Sequence, residues 1–214
     1  MGLDLVNWEV PNPDNSLITN NQSSAKFRFG TNQDIYSLFA FAFSVTSYTP
    51  NIEANNKLIS INGVPADESS TVKPGEEVTI QVDIRNFGTE ATEQNKLVIP
   101  VPYNALFVAA EITPNGLGTV TFDPTMGIAG SIVWDMGVIP LLNSRDEIIA
   151  SLSYTLKFTE DCFLLANDNC ESLLAVSGSI SGTGTISNQH FSGLPFVKGY
   201  KEDACEGNAI FGPL

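Results

Sequence analysis

The clearest pattern along the chain is a strict alternation of apolar and polar residues, which predicts β-strands with one buried and one solvent-facing side. The most informative example lies between a Pro74-Gly75 turn and a second turn at Asn86-Phe87-Gly88. The second turn suits its residues, because asparagine and glycine tolerate positive φ. We expect one face of this strand to carry Val78, Ile80, Val82 and Ile84, and the other to carry Thr79, Gln81, Asp83 and Arg85.

The longest alternating segment runs from 146 to 158. Its predicted inward face carries Ile148, Ala150, Leu152, Tyr154, Leu156 and Phe158. A further strand is predicted at 130–137, where Trp134 is expected at the centre of the core. The predicted core residues are Trp134, Val78, Ile80, Val82, Ile84, Leu152, Tyr154 and Leu156.

Three other segments carry signals about their place in a sheet. Pro100 favours an edge position for the strand at 97–101, because proline cannot donate a ladder hydrogen bond. The segment 38–46 is apolar on both faces and predicts a strand buried on both sides. Glycines 178, 182 and 184 weaken the strand at 174–186 and indicate bulges or close packing. Further strands are predicted at 57–64, 105–110, 118–122 and 195–200.

Together these segments predict an all-β fold with almost no helix, since no segment of a dozen residues has convincing helical periodicity. Short strands at spacings of roughly ten residues indicate an enlarged, antiparallel, Ig-like β-sandwich. We expect residues 1–50 to form an N-terminal extension with additional strands and residues 51–214 to form the sandwich. A single continuous domain is the alternative, because the sequence near Tyr48 gives only a weak signal of a domain boundary.

Composition and charge exclude several classes of function. The net charge is −14, from 24 acidic and 10 basic residues, and the basic residues do not cluster. Nucleic-acid binding needs a basic surface, so none is expected. No apolar run approaches the roughly 20 residues of a membrane helix, so no membrane span is expected. Acidic, polar sequence follows Met1, which indicates either a cytosolic protein or a fragment of an exported one.

The three cysteines favour export. Cys162 and Cys170 bracket a short polar loop, and a disulfide between them would require an oxidising compartment. Cys205 would then be left over and could pair with a neighbouring module. Two alternatives stay open: Cys205 pairs with Cys170, or all three residues are free thiols of a cytosolic protein.

The loop between these cysteines is also a candidate calcium site, because calcium prefers oxygen ligands on flexible loops. The candidate ligands are Glu160, Asp161, Asn167, Asp168, Asn169 and Glu171. A solvated acidic loop without a metal is the alternative, since the alternation of an EF-hand is missing. No other cofactor is predicted.

Residues for catalysis are sparse. The chain has one histidine, His190, and no Gly-x-Ser-x-Gly motif accompanies it. No phosphate-binding or dinucleotide-binding motif is present. The sequence therefore predicts a protein that is not an enzyme.

Several motifs resemble a conserved bacterial surface repeat with an Ig-like sandwich fold. They are the segment from Lys73 to Thr92, the Leu-Val-Ile-Pro-Val-Pro strand at 97–102, Trp134-Asp135-Met136-Gly137, and the long strand at 146–158. Their order and spacing fit the repeat over residues 57 to 158. The C-terminal third, including Phe196 to Tyr200 and Cys205 to Leu214, resembles modules of the SprB-type gliding adhesins.

The resemblance implies a non-enzymatic, extracellular module of a large bacterial cell-surface adhesin, exported as cargo of the type IX secretion system. Its expected partners are neighbouring modules of the same polypeptide, a surface polysaccharide or another external ligand, and the secretion machinery. The alternative is a carbohydrate-binding module of a secreted protein. Its candidate stacking residues are Trp8, Tyr36, Tyr48, Tyr103 and Tyr200, and three or more of them on one plane would favour this alternative.

Overall fold

The structure is a computed structural model that describes residues 7–12, 16–19, 22–32, 38–45, 47–67, 69–114, 116–161, 176–201 and 208–211, with side chains up to residue 196. The chain divides into two units, Met1–Ser47 and Tyr48–Leu214. Every described strand belongs to the second unit, and the described ranges contain no helix. Accordingly, none of these ranges holds a helix able to cross a membrane.

Phenylalanine rings cluster in the first unit. Phe27 packs against Phe41 and Phe43, with ring centroids 4.8 and 4.7 Å apart. The prediction of a strand buried on both sides is wrong for residues 38–45, which lie outside any strand, and Phe39 is 83% exposed. An apolar segment forms a strand only where a neighbour supplies backbone hydrogen bonds, and no strand pairs with this segment among the described residues.

The described part of the second unit contains twelve strands in two sheets. The strands are β1 (Ile52–Ile61), β2 (Val64–Pro65), β3 (Glu77–Asn86), β4 (Thr92–Pro100), β5 (Ala105–Thr113), β6 (Thr119–Asp123), β7 (Ser131–Ile139), β8 (Ala150–Phe158), β9 (Ser179–Gly184), β10 (His190–Pro195), β11 (Val197–Lys201) and β12 (Asn208–Phe211). One sheet has the order β12-β11-β1-β3-β8-β5, with β2 paired to β1, and the other has the order β10-β9-β4-β7-β6. All pairings are antiparallel except that of β1 with β11. The prediction of an enlarged, antiparallel all-β sandwich is confirmed.

The core lies between the two sheets and is built from the alternating apolar faces. On the seven-stranded sheet, Ile80 of β3 stands opposite Tyr154 of β8, and burial raises the pKa of the Tyr154 hydroxyl. On the five-stranded sheet, Trp134 is fully buried, and its Nε1 donates a hydrogen bond to the carbonyl oxygen of Leu117 at 2.8 Å. The buried residues include Val78, Ile80, Val82, Ile84, Trp134, Leu152, Tyr154 and Leu156.

β4 is a central strand, so the edge position predicted from Pro100 is wrong. β4 pairs with β9 on one side and with β7 on the other. Pro100 is the last residue of β4, and the pairing with β9 has already ended at Val98, opposite Ser179. The missing N–H of Pro100 therefore falls where β9 offers no partner, a position at which proline is tolerated.

The strand predicted at 146–158 is shorter than expected, because one of its two neighbouring strands ends before it. β8 begins at Ala150, and Ile148 is exposed although the alternation places it inward. β5 ends at Thr113, opposite Ser151, so the segment before Ala150 has only β3 beside it, where the Ile149 N–H donates a hydrogen bond to the Ile84 carbonyl oxygen at 2.9 Å. Periodicity within one segment carries no information about where neighbouring strands stop.

The loops of the sandwich lie at two opposite ends. The chain reaches the sandwich at Thr49, whose carbonyl oxygen accepts a hydrogen bond from the Thr89 N–H at 3.0 Å. We call this the proximal end; the antiparallel pairing also places loops 87–91, 140–149 and 185–189 there. The opposite, distal end carries loops 62–63, 74–75, 101–104 and 124–130.

Gly88 is a tightly packed point of the proximal end. A Cβ at this position would lie 2.6 Å from the Thr49 carbonyl oxygen and 2.8 Å from the Asn51 nitrogen. We expect Gly88→Ala to lower the free energy of unfolding by about 1–3 kcal/mol, as measured by urea denaturation. Gly30→Ala is the control, because space at Gly30 is open. Equal stabilities of the two variants would contradict the prediction.

Candidate functional surfaces

The β8–β9 loop contains the predicted calcium ligands, and only its beginning is described. The Glu160 carboxylate lies 3.8 Å from the Lys157 ammonium and packs over Gly75, and Asp161 follows it. The other candidate ligands, Asn167, Asp168, Asn169 and Glu171, lie outside the described residues. Within the described ranges, no three His, Cys, Asp or Glu side chains are grouped to hold a metal. Calcium at this loop stays a prediction.

The predicted disulfide belongs to the same loop. Cys162 and Cys170 lie outside the described residues, as does Cys205. β8 belongs to the seven-stranded sheet and β9 to the five-stranded sheet, so the segment that contains Cys162 and Cys170 connects the two sheets. Their pairing stays a prediction.

The described tyrosines of the sandwich do not form the flat platform that the carbohydrate-binding alternative requires. Tyr48 lies at the proximal end, beside the start of β1, whereas Tyr103 lies at the distal end between β4 and β5. The sheet that separates the two ends is roughly 33 Å long, since a strand rises about 3.3 Å per residue. Trp8 is exposed in the first unit. Tyr36 and the side chain of Tyr200 lie outside the described part of the chain.

A buried polar cluster lies on the outward face of the seven-stranded sheet. Asp83 is only 4% exposed, so the prediction that it faces solvent is wrong. Its carboxylate accepts hydrogen bonds from Ser151 Oγ and Gln81 Nε2, both at 2.6 Å, and lies 3.2 Å from Lys57 Nζ. These three partners stand on β8, β3 and β1, so side chains from three strands converge on one carboxylate.

Asp83 and Glu53, two carboxylates of this face, have opposite pKa shifts. Burial alone raises the pKa of Asp83, but hydrogen bonds from Ser151 and Gln81 and the Lys57 ammonium outweigh burial and lower it below its ordinary value. Burial raises the pKa of Glu53 above its ordinary value, and the Arg85 charge offsets only part of this rise. At neutral pH the cluster therefore holds Asp83 firmly in its charged form.

We expect Asp83→Asn to lower the free energy of unfolding at pH 7 by about 1–3 kcal/mol, because charge-assisted hydrogen bonds are lost. A lowered folded pKa means that this stabilisation is present above the ordinary carboxyl pKa and disappears as the pH falls through the folded value. Urea denaturation at pH 7 and at low pH measures the difference, which should narrow on acidification. Lys57→Gln is the control and should cost about 0–1 kcal/mol, since Lys57 is half exposed. Equal losses in the two variants would refute the central role of Asp83.

Glu90 is a buried carboxylate in the β3–β4 loop to which no sequence pattern points. It is 1% exposed and accepts hydrogen bonds from the Ile186 N–H at 2.7 Å, the Ser187 N–H at 2.9 Å and the Ser187 hydroxyl. Burial alone raises the pKa of Glu90, but these hydrogen bonds outweigh burial and hold the pKa below its ordinary value. Glu90 thereby ties the β3–β4 loop to the β9–β10 turn at the proximal end.

No protein-family model matches this chain, and no curated protein matches it. Solved structures that resemble it include one named BspA_C_mut, with 14% identity and a TM-score of 0.38, over 68% of this chain and 45% of that one. Another, named BspA_C_WT, has 13% identity and a TM-score of 0.34, over 68% of this chain and 49% of that one. The chain thus spans about half the length of these structures. Similarity at this level supports no statement about function.

Proposed function

We propose that this chain is a non-enzymatic, extracellular module of a large bacterial cell-surface adhesin of the gliding-motility type, exported as cargo of type IX secretion. The observation that carries the proposal is the order and spacing of the repeat-like motifs over residues 57 to 158. Its expected partners are neighbouring modules, a surface polysaccharide or another external ligand, and the secretion machinery.

The repeat-like motifs supply the framework of the sandwich, which supports a spacer or adhesive module. Gly75 has a φ of 83° in the turn that precedes β3. At the other end of β3, Asn86 Oδ1 accepts a hydrogen bond from the Gly88 N–H, and Asn86 Nδ2 donates one to the Glu90 carbonyl oxygen, both at 2.9 Å. Such residues fix the turns of a sheet, so the motifs have structural roles.

The Trp-Asp-x-Gly motif at 134–137 also has a structural role. Trp134 fills the core from β7, and the next residue, Asp135, accepts a hydrogen bond at Oδ1 from the Gly137 N–H at 3.3 Å. Gly137 has a φ of 65°, which favours glycine. Because these residues fix the fold, the sequences of the loops and outward faces are free to vary, as a surface module requires.

A non-enzymatic role is also supported by the surroundings of His190. This histidine is exposed at the start of β10, and its Nδ1 lies 3.3 Å from the Thr183 hydroxyl on the neighbouring strand. Among the described residues its hydrogen-bond partner is a threonine, whereas a buried carboxylate orients a catalytic histidine. Tyr48 and Tyr103 lie at opposite ends of the sandwich and do not share one platform, and the carbohydrate-binding alternative stays a prediction.

Surface localisation tests this proposal. Antibodies against the 214-residue chain should label intact cells of the source bacterium, and protease added to intact cells should remove the label. Inactivation of the type IX secretion system should confine the antigen to the cell interior. A cytoplasmic marker that stays unlabelled is the control for cell integrity. Labelling only after permeabilisation would overturn the proposal.

A further inference from the structure

The last two strands bring the chain back to the end of the sandwich at which it arrived. β11 runs parallel to β1, with Val197 opposite Asn55. β12 runs antiparallel to β11, with its final residue, Phe211, opposite Val197. Phe211 therefore lies level with Asn55, near the start of β1, and β12 runs towards the proximal end.

Strand geometry gives the separation between the two connections. Asn55 follows Ile52 by three residues, or about 10 Å along β1, since each residue rises about 3.3 Å. Phe211 lies two strands to the side of β1, or about 10 Å, since neighbouring strands are about 4.8 Å apart. The start of β1 and the end of β12 are thus about 14 Å apart, whereas β1 itself, from Ile52 to Ile61, spans about 30 Å.

We infer that the chain enters and leaves the sandwich at its proximal end. The sandwich therefore projects sideways from the polypeptide, with its distal end farthest from the two connections. A module whose connections lie at opposite ends extends a chain by its full strand length. This one extends it by less than half that length, because both connections lie at the proximal end. The distal loops at 62–63, 74–75, 101–104 and 124–130 are then the part held farthest from the connections.

The significance of this geometry for a multi-module chain rests on the proposed function, but the geometry itself does not. Neighbouring modules joined at the proximal end would leave the distal loops uncovered by those joints. In an array joined end to end, the distal loops would instead lie against the next module.

Distance measurements between paired nitroxide labels test the inference on the full chain. p-Acetylphenylalanine at 51 and 211 provides the attachment sites and leaves all three cysteines intact. We expect a mean separation within about 25 Å, once label linkers are added to the strand geometry. The control pair at 51 and 64 spans the length of β1 and should give about 35 Å or more. A 51–211 separation as long as that of the control would overturn the inference.

A second pair, at 51 and 198, covers the case in which a label at 211 disturbs β12. It reports the start of β11, and we again expect a separation clearly shorter than that of the control pair. Equal or longer distances would overturn the parallel pairing of β1 and β11. The outcome is independent of localisation: short distances in a protein that never reaches the cell surface would refute the proposed function alone.

Discussion

Replacing Trp134 by alanine is expected to lower the free energy of unfolding by about 3–5 kcal/mol. The indole is fully buried on β7, with Leu97 of β4 and Val120 of β6 opposite it on either side. Alanine would leave a cavity between the sheets and would remove the hydrogen bond to the Leu117 carbonyl oxygen. Domains are stable by only about 5–15 kcal/mol, so this loss is a large share of the total.

Urea denaturation followed by far-ultraviolet circular dichroism measures this effect without relying on tryptophan fluorescence. Trp134→Phe is the matched variant; it keeps most of the apolar volume, loses the hydrogen bond, and should lie between the wild type and the alanine variant. Trp8→Ala removes the same side chain from an exposed position and should change stability by no more than about 0.5 kcal/mol. A loss below about 1 kcal/mol in Trp134→Ala would show that the indole is not the centre of the core.

Glu90→Gln is expected to have the second largest effect, a loss of about 2–4 kcal/mol in the free energy of unfolding at pH 7. The carboxylate accepts hydrogen bonds from two backbone N–H groups and one hydroxyl in the β9–β10 turn. A glutamine presents an NH₂ group to these donors, so at least one buried donor loses its acceptor. Glu93→Gln, an exposed change on the adjoining strand, should alter stability by no more than about 0.5 kcal/mol.

The pH dependence of this pair gives an independent measurement. Because the pKa of Glu90 is lower in the folded protein than its ordinary value, the stabilisation is present above the ordinary carboxyl pKa of about 4.3. It is lost as the pH falls through the lowered folded pKa, so wild-type and Glu90→Gln stabilities should converge on acidification. A difference that stays constant from neutral to acid pH would contradict a charged role for Glu90.

The sheets could be predicted from the sequence because burial repeats every second residue along each strand. Val78, Ile80 and Trp134 show this directly, since their neighbours in sequence are polar or lie on the outward face. Strand ends and central or edge positions depend on neighbouring strands, so they could not be predicted in the same way. Pro100 is tolerated in a central strand because the pairing with β9 stops at Val98, and Ile148 is exposed where β5 no longer lies beside β8.

The burial of the carboxylates of Asp83 and Glu90 could not be predicted from the sequence either. Asp83 occupies an outward position in the alternation, and only Ser151 and Lys57, from other strands, make it a buried group. Glu90 is held by Ile186 and Ser187, almost a hundred residues later in the chain. Contacts at that separation leave no periodic signal, because they depend on how the loops meet and not on spacing within one segment.

The unit that can fold is longer than the repeat-like segment, because it includes β9. The resemblance to the surface repeat ends at residue 158, yet β9 lies between β4 and β10 in the five-stranded sheet. Two glycines of this segment are closely packed: Gly178, just before β9, lies under the Phe196 ring, and Gly182 of β9 lies under the Phe191 ring. A chain cut at the end of the resemblance would expose the hydrogen-bonding edge of β4 and invite association between molecules. Recombination or truncation of this protein must therefore carry the glycine-rich segment with the repeat, although by composition it resembles a dispensable linker.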